Sequence, residues 1–238
     1  MNLGLAVLLW FTSVSMPIPQ AAMGAHTPGT GATFTYVNSQ NGFGSGSGRT
    51  ISYTPGATGR LLIIDFLTQA ASATITCSDN GTGGGSTWAN AVVDGSSLSG
   101  TTFGECYTCS SVASVTSVSF AATGSGASSQ AEVREYSYTG GSCALDQHST
   151  TATANSSSVT GGSITTLQAN ELISGLAVIN AGGTTVTGTG GYTLRSAEGS
   201  LGTTINSLDK SVTVTGANAV TGSLGGSNVW YAMTISYD

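Results

Sequence analysis

Charge is the scarcest commodity in this sequence. Only 7% of its 238 residues are charged, and Lys and Arg together number five, against about 25% charged residues in an ordinary soluble domain. Eleven Asp and Glu bring the formal net charge to −6. With so few cations there is no basic surface to neutralise phosphates, which argues against nucleic acid and anionic membranes as partners. Histidine is nearly absent too, limited to His26 and His148, so the Cys106-Tyr-Thr-Cys109 spacing lacks the second ligand pair that a zinc site needs. No stretch of eleven or more residues holds apolar side chains at helical spacing without a Gly or β-branched interruption, and this leaves no βαβ frame for a redox reading of the same motif.

What the chain does have is glycine, with 35 residues, and a 39% hydrophobic share gathered in short clusters rich in Val, Ile, Tyr and Trp. Such clusters bury a core, unlike the low-hydrophobicity composition of disordered segments. About fourteen short strands, separated by Gly/Ser/Asn/Asp turns, predict an all-β fold, a two-sheet antiparallel β-sandwich of jelly-roll type, with a single barrel as the alternative. The run LLIIDFL at 61–67 is apolar on both faces apart from Asp65, so it reads as a central strand covered on both sides. Residues 227–237 read as a terminal strand locked into a sheet. The polar segment 140–161 reads as a surface crossover, and the Gly-rich tracts 41–48 and 80–86 read as turns, because neither has phosphate-loop spacing or a following helix.

Residues 1–25 carry the apolar run LGLAVLLWF and then small residues, the pattern of a secretory signal or a hydrophobic N-terminal segment, too short for a membrane span. Residues 26–238 then form a single domain with no membrane span in the mature chain. Export agrees with four cysteines, Cys77, Cys106, Cys109 and Cys143, read as structural disulfides whose three connectivities stay open. The sequons at Asn80 and Asn155 are glycosylation candidates.

The densest group of charges is AEVREYSY at 131–138. In a strand, Glu132, Arg134, Tyr136 and Tyr138 share one face while Glu135 lies on the other. The two glutamates therefore cannot flank one glycosidic bond. The expectation is an outer face with a Glu132/Arg134 pair and an inner face with one odd carboxylate, Glu135. Glu135 and Asp65 are expected to tie strands together through Arg195 or Lys210. Asp146 and His148 lack the strand-to-helix elbow of a serine hydrolase. No cofactor is called for, although Asp79, Asn80 and Asp94 offer oxygen ligands for a structural calcium ion.

Taken in order, SDNGTGGGSTW (78–88), EVREYSY (132–138), LDQHS (145–149), ANELISGLAV (169–178), GYTLR (191–195), LDK (208–210) and Trp230 resemble a widespread type of bacterial secreted β-sandwich domain. Tyr138 stands where that pattern usually has Gly. The resemblance spans about 30–238 and implies an extracellular or cell-surface module of no established catalytic role. The leading expectation is a non-enzymatic structural or adhesive surface module, open to self-assembly, with itself or surface glycans as partners. One alternative is a carbohydrate-binding module using Trp88 or the Tyr136/Tyr138 face. The other is a glycan-active hydrolase, which needs Asp65, Glu135 or Asp79 to converge in a cleft.

Overall fold

A computed structural model describes residues 31–82, 85–199 and 202–238, so the apolar N-terminal run falls outside the described residues. These contain no helix and seventeen strands. The N-terminal half supplies β1 (Thr33–Ser45), β2 (Arg49–Ser52), β3 (Leu61–Thr68), β4 (Ile75–Asp79), β5 (Ala89–Asp94), β6 (Thr102–Thr108), β7 (Ser117–Ala122) and β8 (Ser128–Thr139). The C-terminal half supplies β9 (Leu145–His148), β10 (Ala152–Thr160), β11 (Ile164–Thr166), β12 (Glu171–Ile179), β13 (Thr187–Gly188), β14 (Thr193–Glu198), β15 (Thr204–Val212), β16 (Gly216–Asn218) and β17 (Thr221–Tyr237).

Each half builds its own sheets, and every strand pair is antiparallel. The first half forms a central sheet in the order β1-β8-β3-β6-β5 and a small sheet β2-β7-β4. The second forms β10-β17-β12-β15-β14, with β9 and β13 added along β17, and the ribbon β11-β16. The all-β antiparallel sandwich expected from the sequence is what the structure shows, with a third layer added.

Alternation along β3 explains the layering. Leu61, Ile63 and Leu67 enter a core shared with Leu176, Val178, Met233 and Ile235 of the C-terminal sheet, while Leu62, Ile64 and Phe66 enter a core shared with Ile75, Val118 and Phe120 of the small sheet. A third core, with Ile173, Leu208 and Trp230, lies on the far side of the C-terminal sheet. The central strand is thus covered on both faces. Burying its six large apolar side chains is worth roughly 9–18 kcal/mol as an upper bound. That sum exceeds the several kcal/mol needed to bury one carboxylate, which is why Asp65 can sit in this strand with no exposure.

Three readings of the sequence need correction. Segment 140–161 is not one loop but contains β9 and β10. β10 escapes a hydrophobic-pattern reading because only Val159 along it is buried. Residues 41–45 belong to β1 and are not a turn; a Cβ on Gly44 would lie 2.0 Å from Arg49 Nη1, so glycine there lets the arginine lie against the strand. Finally, residues 204–212 are one strand where the apolar pattern predicts two, at about 201–207 and 211–216, since Asp209 faces into the sandwich.

Candidate functional site

The face of β8 expected to point outward is buried between the two large sheets. Glu132 and Arg134 have no exposure and Tyr136 has 1%. Three strands of the central sheet deliver carboxyl groups to this layer: Asp65 from β3, Glu105 from β6 and Glu132 from β8, with Asp65 paired to Glu105 and to Glu132 in the sheet register. Arg134 is the one cation among them. Its Nη2 donates to Asp65 Oδ2 at 2.7 Å, to Glu105 Oε2 at 3.1 Å and to Ser174 Oγ at 2.8 Å. Nη1 donates to the Leu208 carbonyl and to the Tyr136 hydroxyl, both at 3.2 Å. From the C-terminal sheet, the Ser207 hydroxyl lies within reach of both Asp65 and Glu132 and has one proton for the two, Ser174 donates to Glu105 at 2.5 Å, and Tyr237 donates to Glu105. One guanidinium therefore stitches the two halves of the chain together.

One cation cannot neutralise three carboxylates in a dry layer, so protons do the rest. Burial, reinforced by Asp65, pushes Glu105 up to about 8, and burial likewise pushes Glu132 up to about 8 despite the Ser207 hydroxyl. For Arg134, burial alone favours the neutral form, but Asp65 and its neighbours outweigh it and hold the guanidinium charged. Burial also raises Tyr136 and Tyr237, keeping both as hydroxyl donors.

Glu135, on the opposite face, is buried against the small sheet side and accepts from Tyr53 Oη at 2.7 Å and from the Gly56 amide at 3.0 Å, with Arg60 Nε 3.7 Å away. The expected partners of Asp65 and Glu135, Arg195 and Lys210, are not the ones used. Asp79 lies elsewhere again, on β4, where it accepts from Gly81 and Ser86 amides and from Trp88 Nε1 at 2.8 Å. Asp65, Glu135 and Asp79 thus do not converge. Glu105 carries no local motif, and only the register of β6 beside β3 reveals it.

The calcium candidates are spent on protein donors. Asn80 Oδ1 accepts from the Thr116 and Ser117 amides, and Asp94 accepts from Ser96, Ser97 and Thr151. Among the described residues no group of three His, Cys, Asp or Glu side chains is placed to hold a metal ion. The sugar-stacking candidates are dispersed as well. Trp88 packs on the core beneath the small sheet, Tyr136, only 1% exposed, lies between the polar layer and the wall of a cleft beside β1, and Tyr138 donates to the Cys109 carbonyl beside Phe34. Asn80 and Asn155 are both exposed.

A cleft of about 440 Å³ opens where β1 meets β14 and β15. Arg195 lies along its wall, with its guanidinium carbon 4.3 Å from the centre of the Tyr36 ring. Arg195 Nε donates to both oxygens of Asp209 at 2.9 Å, and Asp209 in turn accepts from Tyr136 at 2.6 Å. The cleft is thereby wired to the buried layer. Lys210 also lines it, its ammonium 4.5 Å above the Tyr192 ring; burial lowers its pKa.

The disulfides are Cys77–Cys106 and Cys109–Cys143, so the two cysteines of the C-x-x-C motif have separate partners. Two disulfides fit an oxidising compartment, and among the described residues no helix is long and apolar enough to cross a membrane. Comparison with family models, with curated proteins and with solved structures returns no match. Fold and site together define an all-β, disulfide-bonded sandwich with a buried polar layer and an open cleft beside it.

Proposed function

We propose that the chain is a non-catalytic extracellular surface module that acts by contact, as a structural or adhesive element that associates with itself. The observation that carries this reading is the edge strand β10. Among the described residues β10 pairs only with β17, and its sequence ATANSSSVT has neither Pro nor charge and is largely exposed. Natural sheets blunt open edges with Lys, Pro, cover or a bulge; β10 has no Lys or Pro, and its one bulge, between Ser156 and Ser158, leaves Ala152–Ser156 as a regular open stretch. The other long charge-free edge, β1, is covered instead: Ser39 and Asn41 donate to the Arg195 and Ala197 carbonyls of β14. The sealed carboxyl layer agrees with a non-catalytic role, because groups without exposure do not meet substrate.

Size exclusion with light scattering tests the reading. The secreted protein is expected as an assembly larger than the 23.5 kDa chain, and Ala154→Lys with Ser157→Lys is expected to return it to a monomer. A wild-type monomer at high concentration overturns it.

A second reading, a carbohydrate-binding module, is favoured by the cleft. Its volume falls within the range of about 300–1,000 Å³ typical of small-ligand sites, and hydroxyls of Thr35, Thr193 and Ser211 stand beside aromatic Phe34 and Tyr36.

A further inference from the structure

We infer that the β1/β14/β15 cleft binds a carboxylate-bearing sugar unit, held by the outer edge of the Arg195 guanidinium and by Lys210. This rests on the carbohydrate-binding reading and names its ligand class. The distribution of cations supports it first: two of the chain's five Lys and Arg residues line this one cleft. Asp209 lines the same cleft and offsets Arg195, so what remains where a ligand can enter is a net positive charge.

The state of each cation supports it next. Both contacts from Arg195 to Asp209 run through Nε, so the two terminal nitrogens take no part in that pair. They form the planar fork that matches a carboxylate in bidentate fashion. The fork is also held in place, since stacking on Tyr36 fixes one face and the Tyr36 hydroxyl is itself anchored to Ser39 at 2.7 Å. Lys210 makes no ion pair among the described residues, and its one aromatic contact leaves its charge uncompensated. A pre-positioned cation loses little entropy on binding.

Size and overall charge narrow the ligand. The exposed Thr35, Thr193 and Ser211 offer hydroxyls to a polyhydroxylated ring rather than to an apolar acid. A net charge of −6 repels dense polyanions at long range, whereas a single carboxylate on a neutral sugar chain meets little of that field.

The experiment is calorimetric titration of the full secreted chain with a glucuronate-terminated disaccharide and, separately, with the glucose-terminated counterpart. The acidic sugar is expected to bind about tenfold or more tightly, the scale of one charge-assisted hydrogen bond. Arg195→Gln and Lys210→Met should each erase most of that preference. Lys210→Met guards against misfolding, because Lys210 has no carboxylate to leave unpaired, and far-UV circular dichroism checks both variants. Equal binding of the two sugars overturns the charge assignment while leaving carbohydrate binding standing. Binding of neither sugar overturns both, and a preference untouched by both substitutions overturns the site.

Discussion

The two faces of β8 solve the same problem in opposite ways. On one, three carboxyls share one arginine and make up the shortfall with protons; on the other, Glu135 stands alone and is satisfied by a tyrosine hydroxyl, a backbone amide and a half-buried arginine. A lone buried acid can be met by neutral donors near the sheet margin, but a cluster cannot, because mutual repulsion must be removed by a cation or by protonation. The first face is therefore a pH-sensitive seam between the two halves of the chain, and the second is a local tie.

The largest break in this comparison is expected from Arg134→Met. Removing the sole cation leaves Asp65, Glu105 and the Tyr136 hydroxyl short of a donor, at a cost of about 3–5 kcal/mol. The urea midpoint should fall sharply or the chain should fail to fold; a near-wild-type midpoint would mean that the protons, and not the guanidinium, hold the seam. pH should have the next largest effect. Glu105 and Glu132 ionise only near 8 in the folded chain but near 4.5 when unfolded, so the folded state binds more protons across that window. Stability then falls as pH rises from about 4.5 to about 8. At the acid end, hydrogen bonds from Ser97 and Thr151 outweigh burial and hold Asp94 down to about 2, so its contribution is lost only as pH falls through that value. Thermal melts should therefore peak near pH 4–5 and Glu132→Gln should flatten the alkaline slope; a maximum above pH 7 would contradict the protonated seam. The smallest effect belongs to the other face, where Glu135→Gln keeps one acceptor and should cost about 1–2 kcal/mol in urea-midpoint stability.

Much of the seam was legible from alternation alone. Spacing placed Glu132, Arg134 and Tyr136 on one face and Glu135 on the other, and Asp65 stood out in an otherwise apolar strand. What spacing could not supply was which face met water, since a third sheet covers the side of Glu135 and a second half of the chain covers the other. Glu105 lay hidden in TFGECYT because its meaning depends on register with β3, and Asp209-Lys210 fell between two expected strands because the pairing that draws Asp209 inward comes from Tyr136, 73 residues away. β10 was missed for a simpler reason: an edge strand wet on both sides has no apolar period to read.

The separation of Cys106 from Cys109 has a mechanical consequence. One disulfide joins β6 to the small sheet through Cys77, and the other joins the end of β6 to the segment entering β9 through Cys143, enclosing 29 and 34 residues. Neither loop can pay out when the chain ends are pulled. A molecule under tension would reach its limit roughly 200 Å shorter than the bare chain length allows, so the middle of the protein behaves as an inextensible knot of covalent loops between two yielding ends.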